Sequence, residues 1–323
     1  MSKTIKIWLI IAACLVLLGC VLFGSVMMML KWDFSLLSTR KYETNTHTVS
    51  EDFSSLSIST DTANITLAPT TDATCTVVCH ELQSAKHAVS VKDGVLSVEM
   101  IDERKWYEYI GIDFGSPTIT VYLPSGAYGA LTVTSDTGDV KIPADFTFES
   151  MTVTQNTGDV TIFATAAGAV KIKTSTGDIR LEGISAASLE LSVSTGDVYA
   201  SSIICAGDVT VTTSTGDAML KSITCKNLTS AGGTGDLTLR DVVATEKLLL
   251  ERGSGDVELD ACDAAELSIK TGTGDVEGTL LSDKIFITKT GTGDVDVPDT
   301  HTGGRCEITT GTGDIELTIG GHT

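Results

Sequence analysis

Hydrophobic and polar residues alternate in short stretches along most of the chain, and this alternation recurs at a fixed interval. Each interval contains Thr-Gly-Asp, once Ser-Gly-Asp, followed by an apolar residue, first at residues 137–140 and last at residues 312–315. The ten aspartates are Asp139, Asp159, Asp178, Asp197, Asp217, Asp236, Asp256, Asp275, Asp294 and Asp314. Neighbouring aspartates are therefore 19 or 20 residues apart, and a constant period of this length is typical of stacked-repeat proteins.

The positions around each aspartate indicate which kind of repeat this is. With the aspartate numbered 0, position +1 is apolar in all ten copies and +3 in nine, while −8 is apolar in all ten and −6 in eight. Apolar pairs two residues apart are typical of half-buried strands. A third pair, at +6 and +8, appears in the middle repeats, for example Ile203 and Cys205. We therefore predict an all-β fold, a β-solenoid (β-helix) of about ten coils, roughly 45–50 Å long at about 4.8 Å per coil.

The Thr-Gly-Asp motif has two interpretations. In the first it makes a corner of the coil: glycine adopts a positive φ without strain, and the aspartate accepts hydrogen bonds from nearby backbone amides. In the second, the column of ten aspartates binds Ca²⁺ or another hard cation, because carboxylates about 4.8 Å apart repel each other by roughly 1 kcal/mol per neighbouring pair in water. We favour the corner, because the spacing does not match calcium-binding repeats of nine residues.

The regions before the regular repeats divide the chain further. Residues 1–6 form a short tail, 7–30 a transmembrane helix, 31–48 a polar stalk, 49–130 a degenerate coil with a capping sheet, and 131–323 the regular solenoid. Residues 7–30 carry no charge and are long enough to cross a bilayer. Residues 17–20, Leu-Leu-Gly-Cys, are similar to a lipoprotein cleavage site, but the apolar run continues for ten residues beyond Cys20, which favours an uncleaved helix.

Lys3 and Lys6 precede the apolar stretch and favour a single-pass protein with its amino terminus in the cytoplasm and its solenoid outside. Lys31, Arg40 and Lys41 follow the stretch and weaken this charge asymmetry. We expect the bacterial cell membrane as the location, with the bilayer contacted through residues 7–30.

The segment before the regular repeats contains one repeat-like turn and one aromatic cluster. Asn64 takes the aspartate position of a degenerate coil, and residues 75–123 alternate as short strands of a cap. Within residues 102–115, four aromatic residues cluster: Trp106, Tyr107, Tyr109 and Phe114. Either this loop binds a partner, since aromatic residues are enriched in binding hot spots, or it plugs the open end of the solenoid.

Charge and motif content exclude several function classes. The net charge of −20 and the pI near 4.5 argue against binding to nucleic acid. No motif of a hydrolase or a phosphate-binding loop is present, and aromatic sugar platforms are almost lacking, so we expect neither an enzyme nor an organic cofactor. The cysteine spacing matches no zinc motif. Cys205 and Cys225 share one column in consecutive coils, either as buried thiols or as a disulfide.

Several stretches together resemble a known family. The short amino-terminal span, the entry at residues 41–65, the strand GSPTITVYLP at 115–124 and the serial TGD coils are similar to bacterial membrane-anchored β-strand-repeat proteins of unknown function that carry the label putative adhesin. The resemblance implies a surface protein of the cell envelope, with related domains linked to envelope stress. It carries over no catalytic or ligand residues.

Two functions from different classes follow. The first is a binding module that presents the rod, or the loop at 102–115, to a protein or glycan of the envelope or of a host. The second is a tethered scaffold whose solenoid ends associate with other copies of the chain, because an uncapped end exposes unpaired strand edges.

Overall fold

The computed structural model of the protein describes residues 3–32, 41–104 and 115–320. It contains one helix, α1 (Lys3–Met29), and 26 strands within these residues. The cap and the first coil contain β1 (Tyr42–Val49), β2 (Ser55–Thr62), β3 (Asn64–Thr70), β4 (Cys75–Leu82), β5 (Ala85–Lys92), β6 (Val95–Asp102) and β7 (Thr118–Pro124).

The regular coils contain the other nineteen strands. These are β8 (Gly126–Thr137), β9 (Val140–Ile142), β10 (Phe146–Thr157), β11 (Val160–Ile162), β12 (Thr165–Ala166), β13 (Ala169–Thr176), β14 (Ile179–Glu182), β15 (Ser185–Ala186), β16 (Ser188–Thr195), β17 (Val198–Cys205), β18 (Asp208–Thr215), β19 (Ala218–Thr234), β20 (Leu237–Ser254), β21 (Val257–Thr273), β22 (Val276–Leu280), β23 (Lys284–Thr292), β24 (Val295–Asp296), β25 (Gly304–Thr312) and β26 (Ile315–Ile319).

Helix α1 is long and apolar enough to cross a membrane. Its span Ile5–Met29 comprises 25 residues with a mean hydropathy of 2.8. The helix ends where Lys31 and Trp32 adopt positive φ angles of 52° and 62°. These properties suit a single-pass anchor, and signal sequences share them.

The predicted β-solenoid is confirmed. Equivalent strands of neighbouring coils pair in parallel and in register, as Leu131 with Met151 and Met151 with Val170. The apolar columns therefore stack into one continuous core that runs along the rod. The third strand of the middle coils is also present, with Ile203 and Cys205 buried.

Every regular coil bends at the motif glycine, and five middle coils bend again at a second position with a positive φ angle. The ten motif glycines have φ angles between 126° and 145°, a range that favours glycine. The second corner lies five residues after the aspartate. There, φ angles between 52° and 56° occur at Ser202, Ser222, Asp241 and Ala261. The regular coils are thus divided into straight strands by fixed corners.

The last two coils are stacked in the reverse of their chain order. Strand β25 pairs with β21 on one side and with β23 on the other, and β26 lies between β22 and β24 in the same way. The final repeat, with Asp314, is therefore inserted between those of Asp275 and Asp294. Simple succession of the repeats predicts the opposite order. Leu267, Phe286 and Cys306 occupy the same apolar column of these coils, and the glycine corner is common to all three, so either coil fits the parallel register at this level.

A buried polar column, at position −4, faces the interior beside the glycine corners. Thr271 and Thr310 each donate a hydroxyl hydrogen bond to the glycine carbonyl of the neighbouring coil, Gly255 O at 3.2 Å and Gly274 O at 3.1 Å. Buried carbonyls need such partners. In these coils the hydroxyls therefore satisfy the corner carbonyls from inside the rod, whereas the Thr213 hydroxyl of the same column has no hydrogen-bond partner among the described residues.

Arg252 occupies this same column as a buried cation. Its side chain fills the space above Gly232, which has no Cβ to obstruct it, and donates to Ser230 Oγ at 3.1 Å and to the Glu251 carbonyl at 3.2 Å. Its Nε has no hydrogen-bond partner among the described residues. Burial lowers the pKa of the Arg252 guanidinium, while Asp217 and Asp236 act in the opposite direction.

The amino-terminal part forms the predicted degenerate coil and cap. Strands β2 and β3 pair in parallel with β8 and β9 on one side and with β6 and β7 on the other. Strand β4 then pairs antiparallel with both β7 and β1, and β5 with β6. The stalk predicted over 31–48 is not what the structure shows from Tyr42 onward, because β1 begins there. The sequence of β1 is polar and partly β-branched, which suits a half-exposed edge strand.

Candidate functional site

The aspartate column forms a hydrogen-bond ladder along the rod. The Oδ1 atom of nine of the ten aspartates accepts the backbone N–H of the aspartate in the adjoining coil, at 2.7–3.0 Å. The ladder starts at Asn64, whose Oδ1 accepts from the N–H of Asp139 at 2.9 Å, and it ends at Asp294, whose N–H donates to Asp314 Oδ1. These nine carboxylates thus satisfy a backbone donor at the corner of another coil.

This geometry supports the structural interpretation of the motif. One oxygen of nine of the ten carboxylates is already engaged, and the uncharged amide of Asn64 makes the same bond in the same place. Since the bond needs only an acceptor, the charge of the other ten residues is not required for the corner itself. Cation binding at this exposed column stays a prediction.

The four aromatic candidates for partner binding, Trp106, Tyr107, Tyr109 and Phe114, lie outside the described residues. The structure therefore brings none of them to a defined place, and their role stays a prediction. The described residues on either side, Arg104 and Gly115, both line a cavity of about 80 Å³ in the cap.

The structure reveals a buried cluster in the cap that the sequence did not predict. Cys79 and Glu81 point inward from β4, and His87 points inward from β5; their exposed fractions are 0%, 1% and 4%. One potential ligand atom from each residue lies within 4.8 Å of those of the other two. A thiol, a carboxylate and an imidazole are thus concentrated at one buried point.

Hydrogen bonds connect this cluster to two further strands. Glu81 Oε2 accepts from the backbone N–H of His87 at 2.6 Å and lies 2.7 Å from His87 Nδ1. Glu81 Oε1 accepts from Asn45 Nδ2 of β1 at 2.8 Å. On the far side of the imidazole, Nε2 lies 2.9 Å from Thr60 Oγ1 of β2. The carboxylate and the imidazole are therefore both held in one orientation.

Carboxylate, imidazole and hydroxyl lie here in the order found in a catalytic triad. His87 lines the 80 Å³ cavity, but Thr60 does not contribute to its wall. Only 5% of Thr60 is exposed. The hydroxyl is therefore packed within the core, away from the cavity in which a substrate atom would have to sit.

The thiols outside α1 are buried and reduced. Burial, with the nearby charge of Glu81, raises the pKa of Cys79 to about 12. Burial also raises the pKa of Cys225 to about 12, with smaller effects from Cys205 and Asp208. Cys205 and Cys225 are free, as are the other six cysteines, so the structure agrees with the buried-thiol alternative.

The cluster escaped the sequence analysis because its residues come from two strands, β4 and β5, and their hydrogen-bond partners Asn45 and Thr60 come from two more, β1 and β2. Cys79 and Glu81 are two apart on one strand, and the turn after Leu82 folds His87 back beside them through the pairing of Leu82 with Ala85. An available signal was Glu81 itself, a charged residue in phase with the inward-facing Cys75, Val77 and Cys79. Cysteine-pair spacing could not detect it.

Comparison with solved structures finds chains of similar extent but low similarity. A Bacteroides fragilis protein described as a putative adhesin is 15% identical, with 87% of this chain and 98% of that chain covered at a TM-score of 0.40. A Parabacteroides distasonis protein with the same description is 13% identical, with coverages of 87% and 98% and a TM-score of 0.41. A Parabacteroides distasonis protein described as a putative lipid binding protein is 13% identical, with coverages of 75% and 95% and a TM-score of 0.34.

No curated protein matches the chain. The profile of one protein family matches it twice, over residues 53–210 and 189–322. These two matches contain the degenerate coil, the TGD coils and the strands of the cap apart from β1. The chain therefore belongs to the Toastrack DUF4097 family.

Proposed function

We propose that this protein is a non-enzymatic β-solenoid anchored in the bacterial cell membrane and exposed outside it, where it binds a protein or glycan of the envelope or of a host. It would act there in adhesion or in the response to envelope stress. The proposal rests on one observation: the chain combines α1, an apolar helix of membrane-spanning length, with a rod whose long sides carry no other element in the part of the chain that the structure describes.

The sides of the rod suit binding over an extended area. On the strands before the motif, the outward residues follow each other in register, as Thr132 with Thr152 and Thr134 with Thr154. Such a surface is formed before a partner arrives, because every strand is fixed by its two neighbours. A preformed surface loses little conformational entropy on binding.

The charge of the rod favours a partner with basic groups. Near its carboxyl-terminal end, Glu258, Glu277 and Glu316 lie side by side on consecutive strands, and Asp296 continues the row. Like charges in register raise the negative potential there. A polyanionic partner such as nucleic acid would be repelled.

The absence of catalysis is part of the proposal. Its support is the burial of the chemically reactive groups: the Cys79 thiol has a pKa of about 12, and the Thr60 hydroxyl lies outside the cavity that His87 lines. Neither group is placed to attack a substrate.

The binding function can be tested with a strain that lacks this protein. The strain is complemented with the full chain or with a Trp106→Ala, Tyr107→Ala double variant, and retention is measured on purified cell envelopes and on a layer of host extracellular matrix. Retention that depends on the wild-type chain, and falls in the double variant without a lower melting temperature, would support the proposal. Equal retention with and without the protein would contradict it, and a large loss of melting temperature would identify the loop as a plug.

A scaffold that associates end to end is the second candidate, and one observation favours it. In the coil that ends the stack, Val295 is 43% exposed, whereas its nine equivalents are at most 1% exposed. Ile285 and Ile287 of the adjacent β23 are also exposed. An apolar coil end with an unpaired strand edge favours addition of a further strand. Light scattering of the full chain in detergent should then show concentration-dependent oligomers that Val295→Asp abolishes; a monomer at all concentrations would exclude this candidate.

A further inference from the structure

The buried cluster of Cys79, Glu81 and His87 poses an electrostatic problem for the cap. Glu81 is 1% exposed, and an ionised carboxylate in such a place needs a compensating charge. The group that faces its Oε2 atom is the imidazole of His87, which is a cation only when it is protonated. A thiol lies beside this pair with a potential ligand atom within 4.8 Å of both.

We propose that Cys79 Sγ, a carboxylate oxygen of Glu81 and His87 Nδ1 form a binding site for one divalent transition-metal ion, and that this ion is zinc. The charges balance: a thiolate and a carboxylate together neutralise the two positive charges of the ion, while the imidazole is neutral. Loss of the thiol proton to solvent accompanies binding, because the thiolate is the ligand.

The donor set selects the metal. Thiolate and imidazole are the usual ligands of zinc and are poor ligands for Ca²⁺ or Mg²⁺, which prefer oxygen. In a tetrahedral zinc site with bonds of about 2.0–2.3 Å, neighbouring ligand atoms are roughly 3.3–3.8 Å apart. The three atoms already lie within 4.8 Å of one another, so small side-chain shifts bring them to that separation.

The surrounding hydrogen bonds are those that a metal site requires. Ligand histidines commonly donate their second ring N–H to an acceptor, which fixes the tautomer, and Thr60 Oγ1 lies 2.9 Å from Nε2 in that position. Asn45 Nδ2 holds the second carboxylate oxygen, Oε1, at 2.8 Å. Oε2 and Nδ1 are left to face each other and the thiol, and the ion replaces their direct contact.

The cluster also has room beside it. His87 lines the cavity of about 80 Å³, which is large enough for several water molecules. Of the three ligand residues His87 alone borders this cavity, so the ion enters on the His87 side, and a water molecule on that side is the fourth ligand. Three protein ligands and one water complete the coordination number that zinc prefers.

A carboxylate–imidazole–hydroxyl series without metal is the competing explanation, and Cys79 distinguishes the two. The thiol has no part in that series, whereas it is a ligand in the proposed site. Cys75 provides a matched control, because it lies four residues earlier on the same strand, also faces inward and is only 4% exposed.

Cobalt provides the test, because a cobalt–thiolate bond absorbs in the near ultraviolet and tetrahedral cobalt absorbs in the visible range. The full chain in detergent is treated with chelator and reductant, freed of both, and titrated anaerobically with Co²⁺ and then Zn²⁺. We expect both absorptions to saturate at one cobalt per chain and to disappear when zinc is added. Cys79→Ser should lose the near-ultraviolet band, and Cys75→Ser should keep it.

Asn45→Ala provides a second variant, since Asn45 is on a half-exposed edge strand and its replacement leaves the core intact. Loss of this outer hydrogen bond should weaken cobalt affinity about 10–100-fold. The proposal is overturned if the wild-type chain gives no thiolate band, or if Cys79→Ser, folded by circular dichroism, gives the same band. Unchanged affinity in Asn45→Ala would contradict the proposed orientation of Glu81.

Discussion

The motif glycines allow the sharpest test of how the sequence specifies the rod. Gly216 has a φ angle of 132°, and a Cβ atom there would overlap the carbonyl oxygen of Gly196 in the adjoining coil. Gly216→Ala therefore strains the backbone by about 1–3 kcal/mol. The overlap also pushes two coils apart at the point where Gly196 N donates to Thr215 O and Asp217 N donates to Asp197 Oδ1.

Each of these weakened hydrogen bonds contributes about 0.5–1.5 kcal/mol, so the total loss of unfolding free energy is about 2–6 kcal/mol. Thermal unfolding of the full chain in detergent, followed by circular dichroism, should show a melting temperature roughly 4–24 °C lower. Gly126→Ala is the control, because no atom lies within 4 Å of the added Cβ, and it should be neutral or slightly stabilising. A Gly216→Ala chain as stable as the wild type would refute the reasoning.

Three further changes test the other columns of the coil. Asp197→Asn keeps the hydrogen-bond acceptor and removes the like-charge repulsion, so it should be more stable than Asp197→Ala by about 1–2 kcal/mol. If millimolar Ca²⁺ raises the melting temperature of the wild type but not of these variants, the column binds cations. Leu259→Asp introduces a charge at a position that is 1% exposed and should lower the free energy of unfolding by more than about 4 kcal/mol. Glu258→Lys, on the outer face, should change it by less than about 0.5 kcal/mol. Equal melting temperatures for the two variants would contradict the assignment of faces. Thr271→Val removes the hydroxyl that donates to Gly255 O but keeps the shape of the side chain, and Val193 already occupies the same column in another coil. We expect urea unfolding to show a loss of about 1 kcal/mol in the free energy of unfolding. No loss would show that the polar column contributes nothing to stability.

The regular part of the fold was predictable because its information is local and repeated. Apolar residues at fixed distances from each aspartate define which side chains point inward, and Asn64 extends the same pattern into the cap. The turn between β5 and β6 was equally readable, since Asp93 and Gly94 take the positive φ angles that such a hairpin requires.

The order of the last coils could not be predicted, because the repetition that makes the fold predictable also makes the coils alike. Asp275, Asp294 and Asp314 belong to almost identical repeats, so the columns determine the register within a coil and leave open which coil is its neighbour. The inward polar column was missed because its members, such as Gln155 and Arg252, have no common hydrophobic character. Gln155 donates to the glycine carbonyl of Gly158, whereas Arg252 donates to Ser230 and to the Glu251 carbonyl.

The cluster in the cap depended on tertiary structure. Asn45, Thr60, Cys79, Glu81 and His87 come from four strands. The antiparallel pairing of β1, β4 and β5 brings four of them together, and Thr60 joins them from β2, which pairs in parallel with β6. The position of the aspartate column, in contrast, was predicted from the sequence, and the structure adds that nine of the ten aspartates accept a hydrogen bond from the adjoining coil.

The location of the rod relative to the membrane determines whether it can have a function at the cell surface. Protease accessibility of the solenoid in intact cells, compared with lysed cells, measures this directly when a known surface protein is digested in parallel. We predict that the solenoid is cut in intact cells, leaving the segment with α1 in the membrane. Protection of the solenoid until lysis, with the surface protein cut as usual, would contradict an exposed rod and would leave the membrane-tethered scaffold as the function that fits.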